Sequence, residues 1–158
     1  MKMNWDHAIL WGFAATTVLT TLLSGSRGLG FTRMDPPFML GSIFTSNRDK
    51  ARWIGFILHF INGWIFALIY IALFLHSSIQ HWLFGMCIGL FHALFVLVVV
   101  APLLPAIHPR MADEQHGPDP TRQLEPPGFL SLNYGRQTPI AVILSHLVFG
   151  AMLGAFYW

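Results

Sequence analysis

The sequence predicts an all-α membrane protein: four transmembrane helices built as two parallel helix-loop-helix repeats, with a short interfacial helix in each of the two loops that carry positive charge. Three observations predict it. Of the 158 residues, 54% are hydrophobic and only 10% charged, with a mean hydropathy of +0.57, whereas soluble domains carry roughly a quarter charged residues. Three long stretches, 53–75, 82–104 and 139–158, contain no Lys, Arg, Asp or Glu. The chain also repeats itself. Arg33, Met34 and Asp35-Pro36-Pro37 with Phe38 and Leu40 lead into an apolar stretch carrying His59, Gly63 and Tyr70. Arg110, Met111 and Glu125-Pro126-Pro127 with Phe129 and Leu130 lead into another carrying His146, Gly150 and Tyr157. The offsets from His to Gly and from His to Tyr are identical in the two halves, and Gly12 precedes Arg33 by the same interval that separates Gly89 from Arg110. Duplication explains these matched offsets better than chance. The chain therefore reads as a single transmembrane domain, 1–158, with repeat one over 1–75 and repeat two over 82–158.

A hydrocarbon core of about 30 Å takes about 20 apolar residues of helix. The first span, 8–23, falls short of that length and contains four Thr, so on hydropathy alone it could be the apolar region of a signal. The match of Gly12 to Gly89 makes it the counterpart of the third span instead, so it is kept as a helix. In the loop that follows, an acidic residue, two prolines and the apolar stretch 38–44 form a helix-start pattern. The second span, 53–75, exceeds the required length, and the short connection 76–81 leads to the third, 82–104, which matches the second in length. The loop 105–138 is long enough to need its own explanation, and its Glu-Pro-Pro followed by 129–134 repeats the helix-start pattern. The fourth span, 139–158, is just long enough to cross.

Of nine Lys and Arg, only Lys2 lies outside the two long loops. Arg27, Arg33, Arg48, Lys50 and Arg52 sit in the first and Arg110, Arg122 and Arg136 in the second. The positive-inside rule makes both loops cytoplasmic and both termini non-cytoplasmic. Trp5, Trp53, Trp82 and Trp158 fall at span ends, where amphipathic rings prefer the headgroup layer. The basic balance then reflects topology and attraction to the lipid bilayer; no basic stripe or motif points to nucleic acid. The lone Cys87 lies within a span and offers no disulfide.

At 100° per residue the Gly and Tyr of each repeat return to within about 40° and 20° of its His, so the three form one stripe. Small residues recur at four-residue spacing in every span, and Gly12, Gly63, Gly85, Gly89, Gly150 and Gly154 are read as helix-packing positions, expected to join in one seam.

Ionisable groups at depth face a bundle interior or a wet cavity, which makes His59, His92 and His146 the candidate ligand or proton site. Counted from the cytoplasmic ends, His59 lies about 9 Å in, His146 about 10 Å and His92 about 18 Å. A pseudo-twofold axis along the membrane normal would bring His59 and His146 face to face. Three readings stay open. The histidines are neutral and bonded to Thr16, Thr17, Ser145, Asn62 or a backbone carbonyl. Alternatively His59 and His146 ligate a haem iron or a metal ion, with Arg33 and Arg110 near enough for haem propionates. As a third reading, the group relays protons in a small transporter acting as a dimer, although transporters usually show more polar midplane lining or broken helices.

Enzyme chemistry has little support. Asp6, Asp35, Asp49, Asp113, Glu114, Asp119 and Glu125 all lie outside the spans, and none can orient a buried His as a triad acid does. Ser145 and His146 are neighbours, about 100° apart on a helix, and form no nucleophile and base pair. The cluster His108, Asp113, Glu114, His116 and Asp119 lacks ligand spacing and reads as solvated loop surface. His7, His76 and His81 with Asp6 read as a wet connecting edge.

The His-x3-Gly-x6-Tyr endings of the second and fourth spans, with their glycine-rich partner helices, resemble small bacterial four-span inner-membrane proteins, broadly of the YagU-like kind. The resemblance implies a bacterial cytoplasmic membrane and no particular reaction. The expectation is an integral membrane protein without evident enzymatic activity, an accessory or self-associating part of a membrane assembly with no confidently assigned cofactor.

Overall fold

The computed structural model describes residues 3–113, 117, 119–122 and 124–157. Lys2, Glu114, His116 and Trp158, all used in the sequence reading, lie outside the described residues.

Helix α1, Trp5–Gly28, starts where the Asn4 side chain accepts from the His7 amide at 3.2 Å, an N-cap that satisfies one of the orphan donors of a helix start. It runs past the apolar stretch 8–23 at both ends. Its four threonines do not interrupt it, because each hydroxyl of Thr16, Thr17, Thr20 and Thr21 donates to the carbonyl four residues back at 2.7–2.9 Å, hiding its polarity within the helix. Helix α2, Pro36–Ser42, has Asp35 as its N-cap, accepting from the Phe38 amide, and prolines in its first turn. Helix α3, Arg48–Ser77, is capped by Asn47 and stops at Ser78 in the left-handed region, φ 56°.

Helix α4, Trp82–Phe95, continues through a π-helical turn, Val96–Val100, into α5, Ala101–Ile107. The cause is Pro102. It has no N–H for the Val98 carbonyl and its ring would strike that carbonyl in an α-helix; widening the turn, with the Ala101 amide donating to the Val96 carbonyl, relieves the clash. After the long loop a 3-10 segment, Phe129–Tyr134, with Leu130 and Ser131 left-handed, precedes α6, Thr138–Phe156. The second helix-start pattern therefore yields a kinked 3-10 segment, not a regular helix. Among the described residues the only β-type pairing is the bridge between Met111 and Leu124, which ties the two sides of that loop together.

Four helices, Trp5–Gly28, Arg48–Ser77, Trp82–Ile107 and Thr138–Phe156, are long and apolar enough to cross a membrane. Their outer faces carry exposed Ile57, Ile61, Ile65 and Ile69 on α3 and Phe91, Phe95 and Val98 on α4 and the π turn, surfaces that hydrocarbon solvates better than water. The chain is a multi-pass membrane protein. Trp5 and Trp82 open α1 and α4, Trp53 lies in the second turn of α3, and all three are exposed.

Helix α6 is the hub: it packs on α4 and on α1, while α3 packs on α1 and α2. Between α4 and α6 the backbones touch. A Cβ placed on Gly85 would lie 2.0 Å from the Gly150 carbonyl oxygen, the reverse substitution meets the same distance, and one on Gly89 would lie 2.2 Å from the His146 carbonyl oxygen. Lipid gives helices no hydrophobic reason to associate, so this close fit supplies the packing. A second contact of the same kind seats α2 on α3, where a Cβ on Gly41 would fall 1.7 Å from the Ala51 carbonyl oxygen and one on Gly55 1.6 Å from that of Pro37.

The α1–α3 pair meets differently: Gly63 faces the Thr16 side chain and Gly12 faces Trp64 and Ala67. On the repeat alignment Gly150 should meet the counterpart of Thr16, which is Ala93, yet it meets Gly85. The two registers differ by about two helical turns, because Thr16 and Trp64 hold α1 off where Gly85 and Gly89 let backbones close. The expected single seam is thus two.

Candidate functional site

A cavity of about 200 Å³ lies between α3 on one side and α4, the π turn and α5 on the other, backed by α6 and α1 and bounded by α2. His59, His92 and His146 all line it. Each comes from a different helix.

His146 is buried, and its Nδ1 lies 2.8 Å from the Val142 carbonyl oxygen, one turn back. A carbonyl can only accept, so Nδ1 carries the proton and, in the neutral ring, Nε2 keeps its lone pair. His92 stacks on Phe66 with ring centroids 3.9 Å apart, and its Nδ1 sits 3.2 Å from the Tyr70 hydroxyl. Tyr70 is fully buried and fixed edge-on to Phe149 at 5.3 Å, so the phenol holds the imidazole in place. His59 is half-buried, and its Nε2 is enclosed with no hydrogen-bond partner among the described residues.

The rings in contact are His92 and His146, 4.6 Å apart and edge to face, not the pair His59 and His146 singled out by repeat symmetry. The glycine seam explains this. It draws α6 hard against α4, and Gly89, just under one turn before His92, seats directly on the His146 carbonyl. Of the side chains proposed to satisfy these rings, Thr16 and Thr17 bond within α1 and Ser145 donates to the Ala141 carbonyl at 2.7 Å. Asn62 lines the cavity and is exposed at its edge.

His108, which the sequence reads as solvated, is buried instead. Its Nδ1 accepts from the Arg110 amide at 3.1 Å, so Nε2 bears the proton and donates to the Met39 carbonyl at 2.9 Å. Arg110 reaches the same place, donating to the Ser42 and Ile43 carbonyls at 2.8 and 2.7 Å. The signal for this was faint: a His between two prolines at the end of a span.

Arg33 makes the converse contacts, an ion pair with Glu125 at 3.0 Å and a bond to the Asn133 carbonyl. Beside it the Tyr134 hydroxyl donates to the Glu125 backbone carbonyl at 2.5 Å. Burial first, and the Glu125 carboxylate second, push this phenol up to about 12. Asp119 accepts from the Thr121 hydroxyl and from the Arg122 and Thr121 amides, which hold its carboxyl below the usual range.

Among the described residues, the cavity lining contains no Asp, Glu, Lys or Arg, and no three His, Cys, Asp or Glu side chains come together as a metal cage. The lining offers imidazole nitrogens, the Thr16 hydroxyl and the Asn62 amide in an apolar setting. It can hold a guest by hydrogen bonds or lend imidazole ligands to a metal; it has no nucleophile and base pair. Comparison with protein families, curated proteins and solved structures returns no match.

Proposed function

We propose that the protein is a component of a bacterial cytoplasmic membrane, YagU-like in kind, which performs no covalent chemistry and holds a small guest among His59, His92 and His146. Both arginine-bearing loops face the cytoplasm and both termini the other side. The single observation that carries the binding reading is the meeting of His59, His92 and His146, from three helices, with His108 on one cavity whose lining holds no charged group among the described residues. Polar groups at membrane depth are costly and mark sites of use, and an enclosed nitrogen without a partner, as on His59, costs about 1–3 kcal/mol.

The two halves act as related repeats. Support comes from a reciprocal exchange: Arg33 of the first half bonds the Asn133 carbonyl at the end of the second post-proline segment, and Arg110 of the second half bonds the Ser42 and Ile43 carbonyls at the end of α2. In each half the arginine closes the other's short segment, which sits at the membrane interface.

A metal ion is the second reading, favoured by His146, because an Nδ1–H held by a carbonyl is how metal-binding imidazoles are oriented. A haem fits less well, since about 200 Å³ falls below the roughly 300–1,000 Å³ of pockets that enclose drug-sized molecules.

The test is native mass spectrometry with elemental analysis of protein purified in mild detergent, comparing wild type with His59→Leu and His146→Leu. A retained small molecule, or a metal, that both variants lose supports binding. Equal content in all three rejects it.

A further inference from the structure

We infer that the guest enters from the bilayer, and that it is a neutral amphiphile with a hydroxyl-bearing head, such as a long-chain phenol or alcohol. The inference rests on the reading of the histidine cavity as a binding site and adds where it opens and what it takes.

The loop end of the cavity is bolted. There α2 is seated backbone to backbone on α3 through Gly41 and Gly55, and from the other side His108 and Arg110 hold its last carbonyls. The opposite end is stopped by the Phe66–His92 stack and by the fully buried Tyr70 and Phe149. Two flanks remain: a small pocket of about 10 Å³ beside His59, between the end of α1 and α2, which carries Arg27 and Asp35, and the gap between α3 and the π turn with α5. These elements lean on α1, α2 and α6 and on the 3-10 segment, not extensively on each other, and the cavity reaches the outer surface there, since the lining residue Asn62 is exposed.

That opening lies within the span. Asn62 is about 21 Å along α3 from Arg48. A primary amide exposed at that depth faces hydrocarbon unless something meets it. His59 lies just under one turn before it, on the same face of α3, and its enclosed Nε2 has no partner among the described residues. Asn62 at the mouth and His59 beside it place two polar groups on this flank of the cavity. With no charged residue in the lining among the described residues, a charged head would be left unpaired in an apolar setting, so the head is neutral. A hydroxyl suits both partners because it donates and accepts. The volume takes a compact head while the tail stays in lipid.

The experiment uses the full chain in lipid nanodiscs with a diazirine-tagged 4-dodecylphenol, its cross-links mapped by mass spectrometry. Competitors are untagged 4-dodecylphenol, 4-dodecylbenzoate and phenol. The proposal expects labelling on 59–66 and 96–104, displaced by dodecylphenol at concentrations about tenfold below those needed with dodecylbenzoate or phenol. It expects His59→Leu and Asn62→Leu each to weaken displacement about tenfold, the loss of one good hydrogen bond. Val100→Trp, which fills the rim and leaves both polar groups in place, should abolish labelling; melting curves establish that each variant is folded. If phenol competes as well as dodecylphenol, the cavity fills from water and the lateral route is wrong, though the binding reading stands. Labelling of the same segments that Val100→Trp leaves unchanged also overturns the route. Absence of site-specific labelling together with equal ligand content in wild type and histidine variants overturns both.

Discussion

At the scale of single residues, the three cavity histidines have different standing. His146 is bonded to its own helix and packed against His92, while His59 carries an enclosed nitrogen that nothing bonds among the described residues. Replacing an unsatisfied buried polar group by an apolar one of similar size is neutral or stabilising. His59→Leu should therefore melt at or above the wild-type temperature in detergent, by up to about 1 kcal/mol, and His146→Leu below it. Equal destabilisation of the two would make His59 a structural residue. Tyr134 provides a pH signature. Its folded value is raised from 10.0 to about 12, so between those values the unfolded chain releases a proton that the folded protein retains, and stability falls as pH rises. Below pH 10 the contribution is fully present. Alkaline unfolding followed by circular dichroism should show a loss between pH 10 and 12 that Tyr134→Phe removes.

At the scale of elements, the close glycine contacts decide which helices pair. Gly85 faces a carbonyl on α6 with no side chain to give way, so Gly85→Ala must push α4 and α6 apart, at about 1–3 kcal/mol for an overpacked contact. Gly25, with open space around its Cβ position, is the control and should tolerate Ala. Thermal melts of the two variants separate these outcomes, and equal melting would refute the seam. The sequence made much of this legible. The four-residue spacing of Gly85 with Gly89 and of Gly150 with Gly154 marks the small faces of α4 and α6, and charge-free length marks the spans. It could not reveal which face meets which, because register depends on the bulk of Thr16 and Trp64 opposite. The Gly41–Gly55 contact was missed because α2 is only seven residues long, too short for periodicity to show. The π turn follows from Pro102, whose place near a span end marks an interruption without saying what form it takes.

For the whole molecule, the hub position of α6 sets the site. The repeat alignment pointed to His59 facing His146 across a twofold axis, but unequal packing of the two helix pairs brings His92 to His146 instead. His108 escaped for a similar reason: its partners, Met39 and Ser42, come from α2, far back in the chain. The exchanged arginines tie the halves together at the loop end, and their exposure ranks them. Arg33 is two-thirds exposed, where an ion pair contributes about 0–1 kcal/mol. Arg110, partly buried, makes two bonds to backbone carbonyls, and hydrogen bonds to charged groups contribute about 1.5–3 kcal/mol each. Arg110→Gln should accordingly lower the melting temperature more than Arg33→Gln does; the reverse order would contradict the clamp. The account as a whole depends on the imidazoles of α3, α4 and α6 sharing one cavity, and the contact between imidazoles there is the 4.6 Å approach of His92 to His146. Solid-state NMR of ¹³C,¹⁵N-histidine-labelled protein in bilayers measures that contact directly. The account predicts a ring-to-ring correlation between two of the histidines that disappears in both His92→Leu and His146→Leu, with His146 as the Nδ1–H tautomer. No such correlation in folded protein, or one that survives either substitution, would contradict it.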